Sequence, residues 1–272
     1  MSGTATPRAY VSDIPITRPT LGHAVLSEWT KVKSVRSTVL AVAATAAVTI
    51  GLGLIVAANT TQENFEGEPF TLPALFGIML GQLGVLTLGV LMVASEHGTG
   101  LIRTTFTAAP ERYRVLTAKY LVFAALAFAV TLASVTLVTL VTMVLHSGPT
   151  AGPHSFGHAL RSLLGGSVYV TLLGVLALAV GALLRHSVGA VATMIGLVTI
   201  PAIVPSIFMA WDSTVEISRV LVSYSAPVGL AAVFGLPTDE VTPAGLPQLL
   251  VLVLVTAAAV AASYKLVGSR DV

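Results

Sequence analysis

The chain has 272 residues, of which 55% are hydrophobic and only 10% are charged, whereas a soluble domain carries roughly 25% charged residues. It contains no cysteine, which excludes disulfides, thiolate metal sites and cysteine nucleophiles. The formal net charge of +2 is small, and no basic stripe interleaved with aromatic residues is present, so nucleic acid is not an expected partner. The composition indicates a protein whose main solvent is a lipid bilayer.

The N-terminal region divides into a polar tail and an amphipathic segment. Residues 1–20 are rich in Ser, Thr and Pro and predict a disordered cytoplasmic tail. In residues 21–36, apolar side chains recur at helical spacing, which predicts a helix on the membrane surface. Trp29 is expected at the headgroup level, and Lys31 and Lys33 are expected to face anionic lipid. A solvated helix that packs on protein is the alternative.

Six apolar runs follow, each long enough to cross a hydrocarbon core of about 30 Å. They are apolar on every face, which excludes the alternating pattern of a transmembrane barrel. We therefore predict an all-α polytopic membrane protein, with residues 21–272 forming one transmembrane domain. The predicted spans are approximately 38–58, 72–94, 120–145, 162–184, 188–209 and 247–267. Only residues 185–187 separate the fourth and fifth spans, so these two spans are expected to form a tight hairpin.

The distribution of basic residues predicts the orientation of the spans. Of the 14 Lys and Arg residues, all but Arg161 and Arg219 fall in segments on one side of the predicted membrane. Basic residues accumulate on the cytoplasmic side of membrane proteins. Both termini are therefore predicted to be cytoplasmic.

The predicted spans carry no Asp, Glu, Lys, Arg or His away from their ends. Ion-coupled transporters and proton pumps usually place such a residue in the membrane despite its cost, so the driving force for transport is expected to come from outside these spans. Gly77, Gly81 and Gly84 form a small-residue face in the second span and predict close helix packing. Pro201 and Pro205 predict a kink in the outer half of the fifth span.

The segment after the second predicted span resembles the corresponding loop of ATP-binding-cassette permeases of the ABC-2 type. Those proteins have a Glu at the end of the second helix, then Gly and Thr, a short amphipathic helix, a Pro followed by a basic residue, and a Lys that opens the third helix. The matching residues here are Glu96, Thr99, Gly100, Pro110, Arg112 and Lys119. Gly100-Leu101 stands where the family usually has Gly-Thr, which leaves the capping residue of the short helix open.

The resemblance implies that this short cytoplasmic helix couples the membrane domain to an ATPase. Leu101, Ile102 and Phe106 are expected to contact the ATPase, with Arg103 on the same segment, and Glu96 is expected to hold the loop against nearby basic groups. The order of the surface helix, the six spans and the hairpin also fits the family. The apolar run 228–234 is too short to span and resembles the re-entrant outer segment of these transporters.

The resemblance implies that two permease copies, either identical or paralogous, pair in the cytoplasmic membrane of a bacterium. It also implies that the transporter exports an amphiphile. No lysine of this chain follows a glycine, so a phosphate-binding loop is absent, and ATP with Mg²⁺ is expected on a separate ABC ATPase. This chain itself is expected to bind no cofactor and no metal.

Two other classes compete with this interpretation. An intramembrane enzyme needs a nucleophile with its base, a metal or paired carboxylates, and the sequence has no such motif. His154 and His158 have helical spacing that can suit a metal, although a polar outer loop explains them as well. A non-transporting scaffold or immunity-type subunit with the same fold is compatible with every feature above.

Overall fold

The fold is taken from a computed structural model, which describes residues 20–61, 69–98, 112–146, 156–209, 211, 213–236 and 245–269. Within these ranges the structure is entirely helical, as predicted, with no strand. The helices are α1 (Leu21–Ser34), α2 (Arg36–Asn59), α3 (Leu72–Gly98), α4 (Arg112–Leu145), α5 (Phe156–Leu184), α6 (Ser187–Phe208), α7 (Val215–Ser223), α8 (Ala226–Val233) and α9 (Leu246–Ser269).

Six of these helices, α2 to α6 and α9, are long and apolar enough to cross a membrane, with mean hydropathies between 2.0 and 2.5. This confirms the predicted number of apolar spans and fits a multi-pass membrane protein. The helices succeed one another along the chain, so the ends alternate between two faces of the bundle. We call the end of the bundle that contains the first residues of α4 and the last residues of α9 the basic end. The end that contains the first residues of α3 and the last residues of α4 is called the opposite end.

The helix α4 begins at Arg112, eight residues before the span predicted at residue 120. Its 34 residues measure about 51 Å at 1.5 Å per residue, against a hydrocarbon core of about 30 Å. Hydropathy detects only the lipid-immersed part of such a helix. Lys119 therefore lies two turns inside a continuous helix and does not open it.

The core of the bundle lies around α3 and α5. In the apolar window of α5, 61% of the residues are buried inside the protein, whereas the figure for α2 and for α6 is only 17%. Phe123 of α4, Leu178 of α5 and Met194 of α6 are among the largest fully buried side chains. The central helices are therefore held by protein, and the outer helices α2, α6 and α9 keep apolar faces that the chain does not cover.

The predicted tight hairpin between the fourth and fifth spans is present. The helix α5 ends at Leu184 and α6 begins at Ser187, with only Arg185 and His186 between them. Arg185 has φ of 54°, in the left-handed region that favours glycine. The Nδ1 atom of His186 accepts a hydrogen bond of 2.9 Å from the backbone N–H of Gly189 and caps α6.

Two short helices, α7 and α8, fill the interval between the last two long helices. The eight residues of α8 measure about 12 Å, so this helix cannot span a bilayer, in agreement with the sequence prediction for 228–234. Phe234, which follows α8, is buried, and its carbonyl accepts a 2.8 Å hydrogen bond from the Ser162 hydroxyl of α5. The helix α6 continues to Phe208 past both Pro201 and Pro205.

Candidate functional site

The candidate site is a buried ion pair at the basic end, between α1 and α4. The Nζ atom of Lys119 lies 2.7 Å from Oε2 of Glu28, and the two side chains are only 5% and 3% exposed. The other carboxylate oxygen, Oε1, lies 2.6 Å from Nζ of Lys31, whose side chain is 38% exposed. One carboxylate thus lies between two ammonium groups, which offsets the large cost of removing these charges from water.

Local sequence explains how α1 presents Glu28 to α4. The Thr20 hydroxyl accepts a hydrogen bond from the backbone N–H of His23 and caps the start of α1, and the extended backbone of Val35 separates α1 from α2. Glu28 and Lys31 are three residues apart and so share one side of the helix. Glu28 and Val32 are the buried residues of α1, so the face centred on them packs against α4.

A second set of polar contacts joins the start of α4 to the end of α9. The Tyr120 hydroxyl lies 2.8 Å from Oγ of Ser263, and the Thr117 hydroxyl lies 2.7 Å from the hydroxyl of Tyr264. The ring of Tyr264 also stacks on Tyr113, with centroids 6.3 Å apart. The first turns of α4 are therefore held by α1 on one side and by α9 on another.

Most of the proposed coupling segment lies outside the described residues. Those positions are Thr99, Gly100, Leu101, Ile102, Arg103, Phe106 and Pro110. Glu96 lies in the last turn of α3, and Arg112 begins α4. Lys119 is the member of the segment whose surroundings are described, and it is the residue buried against Glu28.

The three residues expected at the lipid headgroups have different surroundings. Trp29 is partly exposed, and the Nζ atom of Lys33 lies 4.9 Å from the centre of its ring. Lys31 points instead to Glu28 of its own helix. The sequence pattern did not identify Glu28 as a site residue, and it is buried in the contact with α4. The signals available in the sequence were its spacing from Lys31 and its position as the one acid in this helix.

The glycines Gly77, Gly81 and Gly84 of α3 lie against α2. A methyl group added to Gly77 would meet the backbone oxygen of Thr49, and one added to Gly81 would meet the hydroxyl of the same residue. A methyl group added to Gly84 would meet the hydroxyl of Thr45. The missing side chains thus let the two helices approach closely.

The described residues contain no group of three His, Cys, Asp or Glu side chains that could hold a metal ion. His146 is buried, and its ring nitrogens lie 3.1 Å from the carbonyl of Thr60 and 3.3 Å from that of Thr142. His154 lies outside the described ranges.

No family model and no curated protein matches this sequence.

Proposed function

We propose that this chain is the membrane-spanning subunit of an ATP-driven transporter of the ABC-2 type. Two such subunits would enclose the substrate path, and separate ATPase subunits on the cytoplasmic side would supply the energy. The observation that carries the proposal is the buried pair of Glu28 and Lys119. It lies at the end of the very segment, 96–119, whose sequence resembles a coupling loop.

The ion pair supports a coupling role because a displacement of the coupling segment can move the spans only if the segment is attached to them. Lys119 joins the start of α4 to α1, and Tyr120 and Thr117 join it to α9. An ATPase that displaced the segment before Arg112 would therefore move three helices together. If this segment were not attached to the bundle, the same displacement would move only the segment and would leave the spans in place.

The polar groups buried inside the spans support an external energy source. In the described part of the chain, the buried polar side chains in the middle of the long helices are hydroxyls and amides, such as those of Thr131, Ser134 and Gln82. Thr131, for example, donates a hydrogen bond to the carbonyl of Ala127 in its own helix at 2.7 Å. A chain that used a proton or ion gradient would be expected to bury an ionisable relay there.

The uncovered faces of α2, α6 and α9 support a second copy in the membrane. Leu40 and Ile55 of α2, Ile203 of α6 and Leu254 of α9 are each more than half exposed. In a bilayer these faces meet either lipid or another protein. The scaffold interpretation also accommodates this arrangement, so the decisive evidence must come from coupling to an ATPase.

The experiment first asks whether a gene beside this one encodes an ATPase with a phosphate-binding loop, then co-purifies this chain with that ATPase and measures ATP turnover in vesicles. Ile102→Asp places a charge on the apolar face of the proposed coupling helix and is expected to lower ATPase binding or its stimulation strongly. Thr107→Asp, on the opposite face of the same helix, is the matched control and is expected to retain both.

Normal ATPase binding and normal turnover in the Ile102→Asp variant would reject the coupling assignment. Recovery of the chain without any ATPase, in mild detergent and with the neighbouring gene co-expressed, would favour the scaffold or immunity-type role.

A further inference from the structure

The short helix α7 leaves an apolar stripe uncovered. Side chains three and four residues apart lie on the same side of a helix. By this spacing, exposed apolar side chains of α7 and of the residue that follows it form one stripe, which we call the apolar stripe and which consists of Ile217, Val220, Leu221 and Tyr224. The first three are each more than half exposed. An exposed apolar surface of this kind indicates contact with lipid or with another protein.

The other two sides of α7 differ in chemistry from the apolar stripe. Ser218 is buried, and by its spacing it shares a side of the helix with Val215 and Val222, which are half-buried. Glu216 and Arg219 are the charged residues of α7, and their spacing puts them on the third side, where Glu216 is largely exposed. The helix thus has a protein-facing side, a charged side and an apolar side. This division is typical of a helix at a boundary between water and hydrocarbon.

The contacts of α7 put the apolar stripe beside an uncovered apolar surface of α6. The helix α7 packs against α6, and the Thr214 hydroxyl donates a 2.7 Å hydrogen bond to the carbonyl of Phe208, the last residue of α6. Ile203 and Ile207, in the last turns of α6, are each more than half exposed. The 22 residues of α6 measure about 33 Å, against a hydrocarbon core of about 30 Å, so the end of α6 reaches the edge of the core. The apolar stripe therefore continues the surface of a long apolar helix at the membrane boundary.

Two observations favour lipid over a second copy of the chain as the partner of the apolar stripe. Trp211 and Tyr224 flank α7 and are both exposed, and these residue types concentrate where hydrocarbon meets the lipid headgroups. A stable protein interface takes about 20 to 30 residues on each side. The stripe offers four side chains on a helix of nine residues, which is far too small a surface to hold a second copy by itself.

We propose that α7 inserts its apolar stripe into the bilayer at the opposite end of the bundle, where the hydrocarbon meets the headgroups. Glu216 and Arg219 are 4.0 Å apart and cancel in charge, so α7 has no excess of basic side chains for anionic headgroups. Its partner is therefore the apolar part of a neutral lipid. The inference requires only that the long helices cross a bilayer, and it does not depend on the transport function proposed above.

The test measures the accessibility of single spin labels on the full chain in phosphatidylcholine vesicles. The chain has no cysteine, so each variant carries one label. Oxygen concentrates in hydrocarbon, whereas a nickel chelate stays in water. We expect the ratio of oxygen to chelate accessibility to be severalfold higher at Val220→Cys, on the apolar stripe, than at the matched control Glu216→Cys, on the charged side of the same helix. Ser218→Cys, on the buried side, is expected to be shielded from both reagents.

Two results would overturn the proposal. Access of the chelate to Val220→Cys equal to that at Glu216→Cys would show that the apolar stripe lies in water. Shielding of Val220→Cys from both reagents, as at Ser218→Cys, would show that protein covers the stripe, as in a contact with a second copy. Leu221→Cys, on the same stripe, replaces Val220→Cys if that variant does not fold.

The neutral character of the partner is tested with the same labels. Addition of phosphatidylglycerol to the vesicles is expected to leave the accessibility ratio at Val220→Cys unchanged, because the charges of Glu216 and Arg219 cancel. A ratio that rises with the anionic lipid and falls again in high salt would overturn the assignment to neutral lipid.

Discussion

At the scale of single residues, substitution of Glu28 is expected to lower stability substantially. It lies between Lys31 and Lys119 and is 3% exposed, so truncation leaves two ammonium groups without their shared carboxylate. Loss of one partner from a buried ion pair costs about 3 to 5 kcal/mol. We therefore expect Glu28→Ala to lower the free energy of unfolding by about 3 kcal/mol, measured by titration with sodium dodecyl sulfate in mixed micelles.

The matched control for this prediction is Glu216→Ala. Glu216 also stands three residues from a basic partner, Arg219, but the two groups are 4.0 Å apart and Glu216 is 78% exposed. An exposed pair of this kind contributes at most about 1 kcal/mol. Similar small losses of unfolding free energy in both variants would show that the burial of Glu28 does not contribute to stability.

Arg185 gives a prediction of opposite sign. Its φ of 54° places a residue with a Cβ atom in the left-handed region, at the turn between α5 and α6. Glycine adopts this conformation without strain. Arg185→Gly is expected to raise the free energy of unfolding by about 0.5 to 1 kcal/mol in the same titration.

Arg185→Ala is the control, because it also removes the guanidinium but keeps the Cβ atom. A gain as large in Arg185→Ala as in Arg185→Gly would assign the effect to the lost charge and contradict the backbone explanation.

At the scale of elements, the contact between α2 and α3 depends on glycine. A Cβ atom at Gly77 would meet the backbone oxygen of Thr49, which cannot rotate away as a side chain can. Overpacking of this kind typically costs 1 to 3 kcal/mol, so we expect Gly77→Ala to destabilise by roughly 2 kcal/mol. Thermal unfolding followed by circular dichroism measures the change.

Gly51→Ala provides the comparison within α2. A Cβ atom at Gly51 meets nothing within 4 Å, so the substitution adds helix propensity without a clash. We expect it to be neutral or slightly stabilising. Destabilisation of both variants to the same extent would mean that the close approach of α2 and α3 does not explain the glycines.

The elements also show what sequence can and cannot predict here. The six apolar helices follow from run length and hydropathy, since the bilayer imposes both. The early start of α4 at Arg112 was missed, because its first turns are polar and hydropathy does not register them. The burial of Glu28 was not predicted because its partner lies 91 residues away, and no local pattern indicates which distant side chain will cover a carboxylate. Most of the predicted coupling segment lies outside the described residues, so those assignments stay predictions.

At the scale of the whole molecule, the remaining prediction concerns orientation. The chain has no native cysteine, so single cysteines can be introduced without background. Ser34 at the end of α1 and Asn59 at the end of α2 are both exposed and lie at the two ends of the bundle. We expect Ser34→Cys to react with a membrane-impermeant maleimide only after the cells are opened, and Asn59→Cys to react in intact cells. The reverse pattern would invert the topology derived from the basic residues.

The length of α4 has a mechanical consequence. This one unbroken helix carries Lys119 near the basic end and Thr139 near the opposite end, 20 residues and about 30 Å apart. A rigid rod of about 51 Å that tilts by about 5° around its midpoint moves its two tips by about 2 Å in opposite directions. Acting as such a lever, the helix would carry a displacement applied beside Glu28 to the opposite end of the bundle without any rearrangement in between.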